Sequence, residues 1–231
     1  MAKLKHLSVW HKAITISSLA FGLGLNVATV KSIPINLSYF TTQSNILCLI
    51  IFIIFIVLEI AGQKKTKAYY VVKGGGTMAI FITALLYNCG MAFCGFKLGD
   101  EPVEIIRTVF LHMISPTLVI LDYFLYEEKG KLKKSYPLLW VPFTAYYLIY
   151  AYVYANFGER FRGQAASGKF AYFFLDYEKF GYFKVFLWLM LLLIVFLAVA
   201  YGIVLYDNSK REEKESDWLF FYLQKINLLI I

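Results

Sequence analysis

A run of hydrogen-bonding side chains occupies positions 39–45, with the sequence Tyr-Phe-Thr-Thr-Gln-Ser-Asn, directly before a long apolar segment. If the segment is helical, Thr41, Ser44, Asn45 and Cys48 share one face, because they are spaced at i, i+3, i+4 and i+7. A threonine hydroxyl can attack an ester carbonyl, but it is a weak nucleophile that needs a neighbouring base. Such residues also form hydrogen bonds between membrane helices, and the run alone leaves both interpretations open.

A second polar stripe lies in a later apolar segment, where His112, Ser115, Val119 and Asp122 recur at helical spacing. A neutral histidine can accept a proton at working pH, so His112 is a candidate base, with a structural, hydrogen-bonded histidine as the alternative. Pro116 removes a backbone hydrogen bond just after His112 and is expected to bend the helix. Asp122 lies about 15 Å farther along, too far to orient the imidazole, and we expect it to pair with a Lys or a Tyr.

The two polar groups are predicted to lie at overlapping depth. The run at 39–45 begins one segment, and His112 lies about 12 Å inside a segment that runs in the opposite direction. A threonine of the run and His112 therefore form a hypothetical nucleophile and base. Polar side chains at similar depth could bind the substrate or a developing oxyanion. These candidates are Thr42, Ser44, Asn45, Asn88 and Ser115.

The elements that must position these groups are membrane spans. Of the 231 residues, 60% are hydrophobic and 16% are charged, whereas a soluble domain carries about 25% charged residues. The apolar residues come in blocks long enough to cross a bilayer, which takes roughly 20 residues. This composition excludes a soluble enzyme, a disordered chain, a coiled coil and a disulfide-stapled secreted domain. The sequence predicts an all-α integral membrane protein, since the apolar runs lack the alternation of a β-barrel.

Six transmembrane helices are predicted, which form one bundle over residues 1–206. The predicted spans cover residues 7–30, 38–61, 76–96, 104–126, 136–157 and 182–206. Residues 62–75 are predicted to be a basic loop. Residues 158–181 are predicted to be a longer solvated loop, with a lid or a contact to lipid headgroups as the alternative. Residues 207–231 are predicted to be a charged linker followed by an amphipathic tail at the membrane interface.

Charge distribution predicts the orientation and some of the partners. Most of the 23 Lys and Arg residues, Lys12 and Lys73 among them, fall at one side of the predicted bundle, which places both termini in the cytoplasm. The net charge of +8 is then explained by lysines that set the topology and attract anionic lipid headgroups. Binding to nucleic acid is not expected. The predicted location is the cell membrane. The three cysteines show no metal-ligand spacing, so we expect no disulfide, metal or cofactor.

The polar motifs resemble those of a known family. The run at 39–45 is similar to the second-span signature of bacterial six-span relatives of the animal androgen-induced and androgen-dependent TFPI-regulating protein family. His112 followed by Pro116 and by Leu-Asp-Tyr at 121–123 resembles their fourth-span signature. Segments 134–137 and 170–182 resemble further landmarks, so that the resemblance covers roughly residues 7–206.

This resemblance implies a specific activity. The animal members are intramembrane threonine hydrolases that cleave esters of fatty acids with hydroxy fatty acids, using a Thr and a His within the bundle. The matching motif places the nucleophile at Thr41, with the adjacent Thr42 as the alternative, and the base at His112. The expected substrate is a lipid that enters from the bilayer, with membrane lipids as the surrounding partners. The resemblance to bacterial members also implies a bacterial cytoplasmic membrane as the location.

Two other functions fit the same polar groups. A lipid acyltransferase would use the same pocket with a lipid alcohol in place of water. A small transporter or lipid-binding protein would line a cavity with these side chains and form no covalent bond, with Asp122 as a proton relay. Only an enzyme should carry a hydroxyl that reacts with an acyl-mimicking electrophile.

Overall fold

The predicted spans are present as long helices. The computed structural model describes residues 2–30, 32–161 and 165–230, and the side chains of residues 6–30, 32–161 and 165–210. Helix makes up 80% of the structure, and the described residues form no β-strand. Within this described part of the chain, six helices are long and apolar enough to cross a membrane. The protein is therefore an all-helical, multi-pass membrane protein, as predicted.

The spans are formed by five continuous helices and one interrupted helix. The continuous helices are α1 (Ala2–Thr29), α3 (Phe40–Ile60), α4 (Lys67–Cys94), α7 (Tyr136–Phe157) and α9 (Tyr182–Ile230). The interrupted span consists of α5 (Pro102–Val109), a π-helical turn (Phe110–Ile114) and α6 (Ser115–Tyr126). Shorter elements are α2 (Ile33–Leu37), a 3-10 turn (Phe173–Leu175) and α8 (Tyr177–Phe180). Helix α9 continues past residue 206, and the predicted amphipathic character of the tail lies outside the described side chains.

Helix α4 begins earlier than the sequence predicted, so the prediction of a loop through residue 75 was wrong. The side chain of Thr66 caps the helix, and α4 starts at Lys67. Glycine disfavours helix in water, but in a bundle it allows close packing between helices. A Cβ atom at Gly74 would lie 2.2 Å from Cζ2 of Trp140, so the bare backbone makes room for the indole ring of α7.

The helices form a central group and a peripheral pair. Helices α3 and α6 each pack against both α1 and α4, whereas α7 packs on α4 and α9 packs on α7. Large apolar side chains remain exposed on the outer faces of this bundle, as expected for surfaces that contact lipid. Examples are Ile54, Val57, Ile149, Val153, Phe186 and Ile194. The end of the bundle with loops 61–66 and 127–135 is called the basic end, and the end with segments 30–39, 95–101 and 158–181 is called the cavity end.

A cluster of buried charges, called the ion cluster, joins the central helices near the basic end. Asp122 of α6 pairs with Lys12 of α1 at 3.1 Å and with Lys73 of α4, and these three side chains are at most 2% exposed. Lys12 also pairs with Glu59 at 3.0 Å, and Lys73 lies 3.7 Å from Glu127. The expectation that Asp122 pairs with a lysine is confirmed. The charge distribution predicts that Lys12 and Lys73 flank the spans on the cytoplasmic side. They are instead buried partners of the Asp122 carboxylate.

Candidate active site

A large cavity lies at the cavity end and combines polar, apolar and charged walls. Its volume is about 1290 Å³, and α2, α3, α4, α5 and the segment 158–181 contribute to it. The polar lining includes Asn36, Thr41, Thr42, Thr108 and His112. The apolar lining includes Leu86, Phe93, Phe96, Phe173, Trp188 and Leu192, and the charged lining consists of Lys97, Asp100, Glu104, Arg107, Glu159 and Arg160. Such a cavity suits an amphiphilic molecule with a long apolar part.

Thr41 lies in the first turn of α3, half-buried at the cavity wall. Tyr172, from the segment 158–181, is within hydrogen-bonding reach of the side chains of Thr41 and Tyr147. Burial raises the pKa of Tyr172 above the usual range of a phenol, so this residue is a neutral hydrogen-bonding group near Thr41 at physiological pH. The long loop therefore contributes directly to the surroundings of the predicted nucleophile.

Thr42 also lines the cavity, but its hydroxyl is engaged between helices. Its Oγ1 donates to Oδ1 of Asn36 at 3.3 Å and accepts from Nδ2 of Asn26 at 3.2 Å. These bonds join α1, α2 and α3. Because the proton of Thr42 is already given to an amide oxygen, the geometry favours Thr41 over Thr42 as a nucleophile.

The interrupted span leaves two backbone carbonyls without a helical donor. The N–H of Ser115 donates to the carbonyl of Phe110, one residue farther back than in an α-helix. The carbonyl of Leu111 thereby loses its usual donor. The carbonyl of His112 loses its donor as well, because residue 116 is a proline and has no N–H.

Two asparagine side chains from neighbouring helices supply the missing donors. Nδ2 of Asn45 on α3 donates to the carbonyl of Leu111 at 3.2 Å. Nδ2 of Asn88 on α4 donates to the carbonyl of His112 at 3.4 Å. A polar backbone group left unpaired in an apolar environment is costly, so these bonds stabilise the π-helical turn. The irregularity expected near Pro116 thus takes the form of a π-helical turn, which receives hydrogen bonds from α3 and from α4.

This turn presents His112 to the cavity in a defined orientation. Its Nδ1 lies 3.0 Å from the carbonyl oxygen of Thr108, and its ring stacks on Tyr87 with centroids 3.9 Å apart. A carbonyl oxygen can only accept, so in the neutral imidazole Nδ1 carries the hydrogen and Nε2 has the free lone pair. A histidine held in this way can accept a proton from a group in the cavity.

The other predicted candidates form contacts between helices. Ser44 Oγ lies 2.7 Å from Oγ1 of Thr83, and Ser115 Oγ lies 2.8 Å from Oγ of Ser18. Neither of these serines lines the cavity, and the same holds for Asn45 and Asn88, which hold the π-helical turn. Of the five predicted substrate or oxyanion candidates, the structure places only Thr42 at the cavity.

Asn36 is a cavity residue that the sequence analysis missed. Its Oδ1 accepts from Nδ2 of Asn26 at 2.8 Å and from Thr42, which fixes the orientation of the amide. Its Nδ2 is buried and has no hydrogen-bond partner among the described residues. A buried donor without a partner is uncommon and indicates a site for an acceptor. The available sequence signal was Ser32 followed by Pro34, which begins the short helix α2 that carries Asn36.

Comparisons of this chain with protein-family models, with curated proteins and with solved structures found no match. The resemblance of the motifs at 39–45 and 112–123 therefore stays a prediction. What the structure contributes is one cavity that contains a threonine, an oriented histidine and an unpaired amide donor.

Proposed function

We propose that the protein is a membrane-embedded threonine hydrolase that cleaves a lipid ester, with Thr41 as nucleophile and His112 as base. One observation carries the proposal: both residues line the same cavity, and the bond of Nδ1 to Thr108 leaves Nε2 of His112 as the proton acceptor. The resemblance to the androgen-induced hydrolase family points to the same two residues. Carbonyl oxygens can replace a carboxylate as the group that orients a catalytic imidazole.

The first half of the reaction forms an acyl-threonine. Nε2 of His112 takes the proton of the Thr41 hydroxyl as Oγ1 attacks the ester carbonyl. Negative charge develops on the carbonyl oxygen of the tetrahedral intermediate, where the free Nδ2 donor of Asn36 stabilises it. Collapse breaks the bond to the alcohol, which leaves with the proton held on Nε2.

The second half releases the acid. Nε2 of His112 takes a proton from a water molecule, whose oxygen attacks the acyl-threonine carbonyl. The intermediate collapses to a free fatty acid, and the Thr41 oxygen regains its proton from Nε2. A lipid alcohol in place of water would make the same site an acyltransferase, so product analysis decides between the two.

The cavity walls support a lipid substrate. Phe93 of α4 and Trp188 of α9 line the cavity and remain 85% and 42% exposed, so they offer an apolar surface to the acyl chain of a lipid. Arg107 lines the same cavity and donates to Thr29 at 2.8 Å, which fixes the position of a guanidinium in the cavity wall. An ester that bears a free carboxylate, such as a fatty acid ester of a hydroxy fatty acid, matches this combination of apolar wall and cation.

The proposed orientation places the basic end and both termini in the cytoplasm, in a cell membrane. Burial in the ion cluster removes Lys12 and Lys73 from the charges that set topology. The lysines of loops 61–66 and 127–135 remain at the basic end and support this orientation by the positive-inside rule. The cavity then opens toward the outer leaflet.

Labelling of the folded protein with a fluorophosphonate probe tests the proposal. We expect the wild-type protein to be labelled at Thr41, and labelling to be lost in Thr41→Ala and in His112→Ala. The matched control is Thr42→Ala, which removes the neighbouring hydroxyl and should retain most of the labelling. Hydrolysis of a panel of lipid esters then identifies the substrate and the acceptor.

One result would contradict the hydrolase proposal, and another would change the assigned nucleophile. If folded wild-type protein is not labelled and no ester is cleaved, the cavity is a transport or lipid-binding site. If Thr42→Ala loses labelling and Thr41→Ala does not, the nucleophile is the neighbouring threonine.

A further inference from the structure

A second cavity lies at the basic end, far along the bundle from Thr41 and His112. Its volume is about 1130 Å³, and it lies between the start of α4, the loop 127–135 and one face of α9. The charged residues that line it are six lysines and one glutamate. The lysines are Lys64, Lys65, Lys67, Lys131, Lys133 and Lys134. This cavity is called the basic cavity.

Among the described side chains, most of the positive charge of this cavity has no ion-pair partner. Lys65 pairs with Glu127, and Lys131 pairs with Glu128. The four other lysines have no carboxylate within ion-pair distance among the described side chains. The positive-inside rule requires lysines in loops on this side, but it does not require loops from two separate parts of the chain to converge on one concave surface. Convergence of like charges costs free energy and indicates an anionic occupant.

The remaining lining suits a phosphorylated headgroup. Thr66, the N-cap of α4, is part of the lining, so the positive end of the α4 dipole adds to the lysine charge. Asn208 and Ser209 of α9 contribute neutral polar groups that can hydrogen-bond to phosphate or glycerol oxygens. Leu205, one turn away on α9, is 64% exposed and offers an apolar surface on which an acyl chain can lie.

We propose that the basic cavity binds a phosphate-bearing anion, through lysines of the 61–66 and 127–135 loops and the first turn of α4. Phosphate oxygens are strong acceptors that several ammonium groups can share. The exposed leucine beside the lysines suits the headgroup of an anionic phospholipid, and a soluble phosphate compound shares the same recognition chemistry. The basic cavity shares no lining residue with the Thr41 cavity. The binding proposal can therefore be tested independently of the hydrolase proposal.

Thermal unfolding of the full-length protein in a neutral detergent tests the site. The ligands are dioleoyl phosphatidylglycerol, dioleoyl phosphatidylcholine and inorganic pyrophosphate, each titrated separately. A ligand that binds the folded state raises the unfolding midpoint with concentration, which yields its affinity. We expect phosphatidylglycerol to raise the midpoint and the zwitterionic phosphatidylcholine to have no effect. A rise with pyrophosphate of the same size would identify the soluble compound as the source of the phosphate.

A pair of double variants locates the binding. Lys64→Gln with Lys134→Gln removes two lysines that have no ion-pair partner among the described side chains. The change should weaken binding about 25-fold, since each lysine near an anionic surface contributes a factor of about 5. The matched control, Lys179→Gln with Lys184→Gln, removes the same charge at the cavity end and should leave the affinity unchanged. Salt at about 0.5 M should abolish the effect in the wild-type protein, which requires no variant to fold.

Three results would overturn the proposal. The first is an equal response to phosphatidylcholine and phosphatidylglycerol, and the second is an equal loss of affinity in both double variants. The third is no response of the wild-type protein to either phosphate compound at low salt. Fluorophosphonate labelling of Thr41 in the same variants separates this outcome from a failure of the hydrolase proposal.

Discussion

Asn88 on α4 donates a hydrogen bond to the carbonyl oxygen of His112, a group for which the surrounding helix has no donor. Asn45 on α3 does the same for the carbonyl of Leu111. The candidate base is therefore held by its own backbone, which is anchored to two other spans. π-helical turns are rare and are often found at functional sites. The anchoring of this turn makes the position of His112 a property of the whole central group of helices.

Pro116→Ala should reduce activity without unfolding the protein. The alanine restores an N–H that can donate to the carbonyl of His112, so the turn gains an alternative hydrogen-bonding pattern and the imidazole loses its fixed position. Misplacement of a catalytic group by about 1 Å can cost on the order of 100-fold in rate. We expect fluorophosphonate labelling to be slower by about 10-fold or more, with stability unchanged or raised because proline disfavours helix.

The control for this prediction is Pro142→Ala in α7, which replaces the other proline inside a spanning helix. Pro142 does not line the cavity, so labelling should proceed at the wild-type rate. Equal labelling rates for both variants and the wild type would show that the π-helical turn does not position the base.

Asn36→Ala should lower kcat more than it raises KM. Loss of one donor to a developing oxyanion typically costs about 100- to 1000-fold in kcat. Thr42→Ala removes one of the two bonds that orient the Asn36 amide but leaves its Nδ2 donor in place, so we expect a loss below about 10-fold. Steady-state hydrolysis of a lipid ester measures both constants. Equal losses in the two variants would assign Asn36 a structural role in joining α1, α2 and α3.

Asp122→Asn should destabilise the protein strongly. The substitution leaves Lys12 and Lys73 buried without their shared carboxylate, and removal of one partner from a buried ion pair costs about 3–5 kcal/mol. Unfolding in detergent, followed by circular dichroism with increasing denaturant, measures the loss. Glu128→Gln is the control, because Glu128 and its partner Lys131 are 56% and 41% exposed, and exposed pairs contribute about 0–1 kcal/mol. A loss of similar size in both variants would show that the ion cluster does not stabilise the bundle.

Cys94 provides a test of the proposed orientation. It is exposed at the end of α4, at the cavity end, whereas Cys48 is buried. In a Cys89→Ser background, a membrane-impermeant maleimide should label Cys94 on intact cells. In a background that also carries Cys94→Ser, Ser209→Cys at the basic end should be labelled only after the membrane is opened. The reverse pattern would place both termini outside.

The sequence predicted the six spans because hydropathy depends on composition along the chain, and composition decides which segments a bilayer accepts. It did not predict the start of α4. The interval 62–75 ends with Lys73 and the first two glycines of the run at 74–76. A charged residue and a run of glycines each favour a loop when considered alone. Their role in the helix depends on Asp122 and Trp140, which are distant in sequence.

The same limit applies to the candidate site. Helical spacing grouped Thr41 with Asn45, and counting from the span ends placed both at the depth of His112. Spacing does not distinguish a side chain that faces a cavity from one that hydrogen-bonds to the backbone of a neighbouring helix. It therefore predicts Asn45 and Asn88 to be substrate contacts, whereas both donate to backbone carbonyls of the fourth span. Asn36 was missed because its significance rests on a donor left unpaired by its neighbours, which only a three-dimensional arrangement reveals.

The ion cluster also has a consequence for biogenesis. Lys12 is synthesised about 110 residues before its partner Asp122. A lysine at the centre of an isolated span costs roughly 2.5–3.5 kcal/mol on insertion scales. Lys12 and Lys73 lie nearer to the ends of their spans, where the cost is smaller but still unfavourable. The first and third spans therefore carry charges into the membrane before the fourth span can neutralise them. We expect the emerging chain to keep these helices beside the insertion machinery until α6 arrives, so that lateral release into the bilayer is a concerted step.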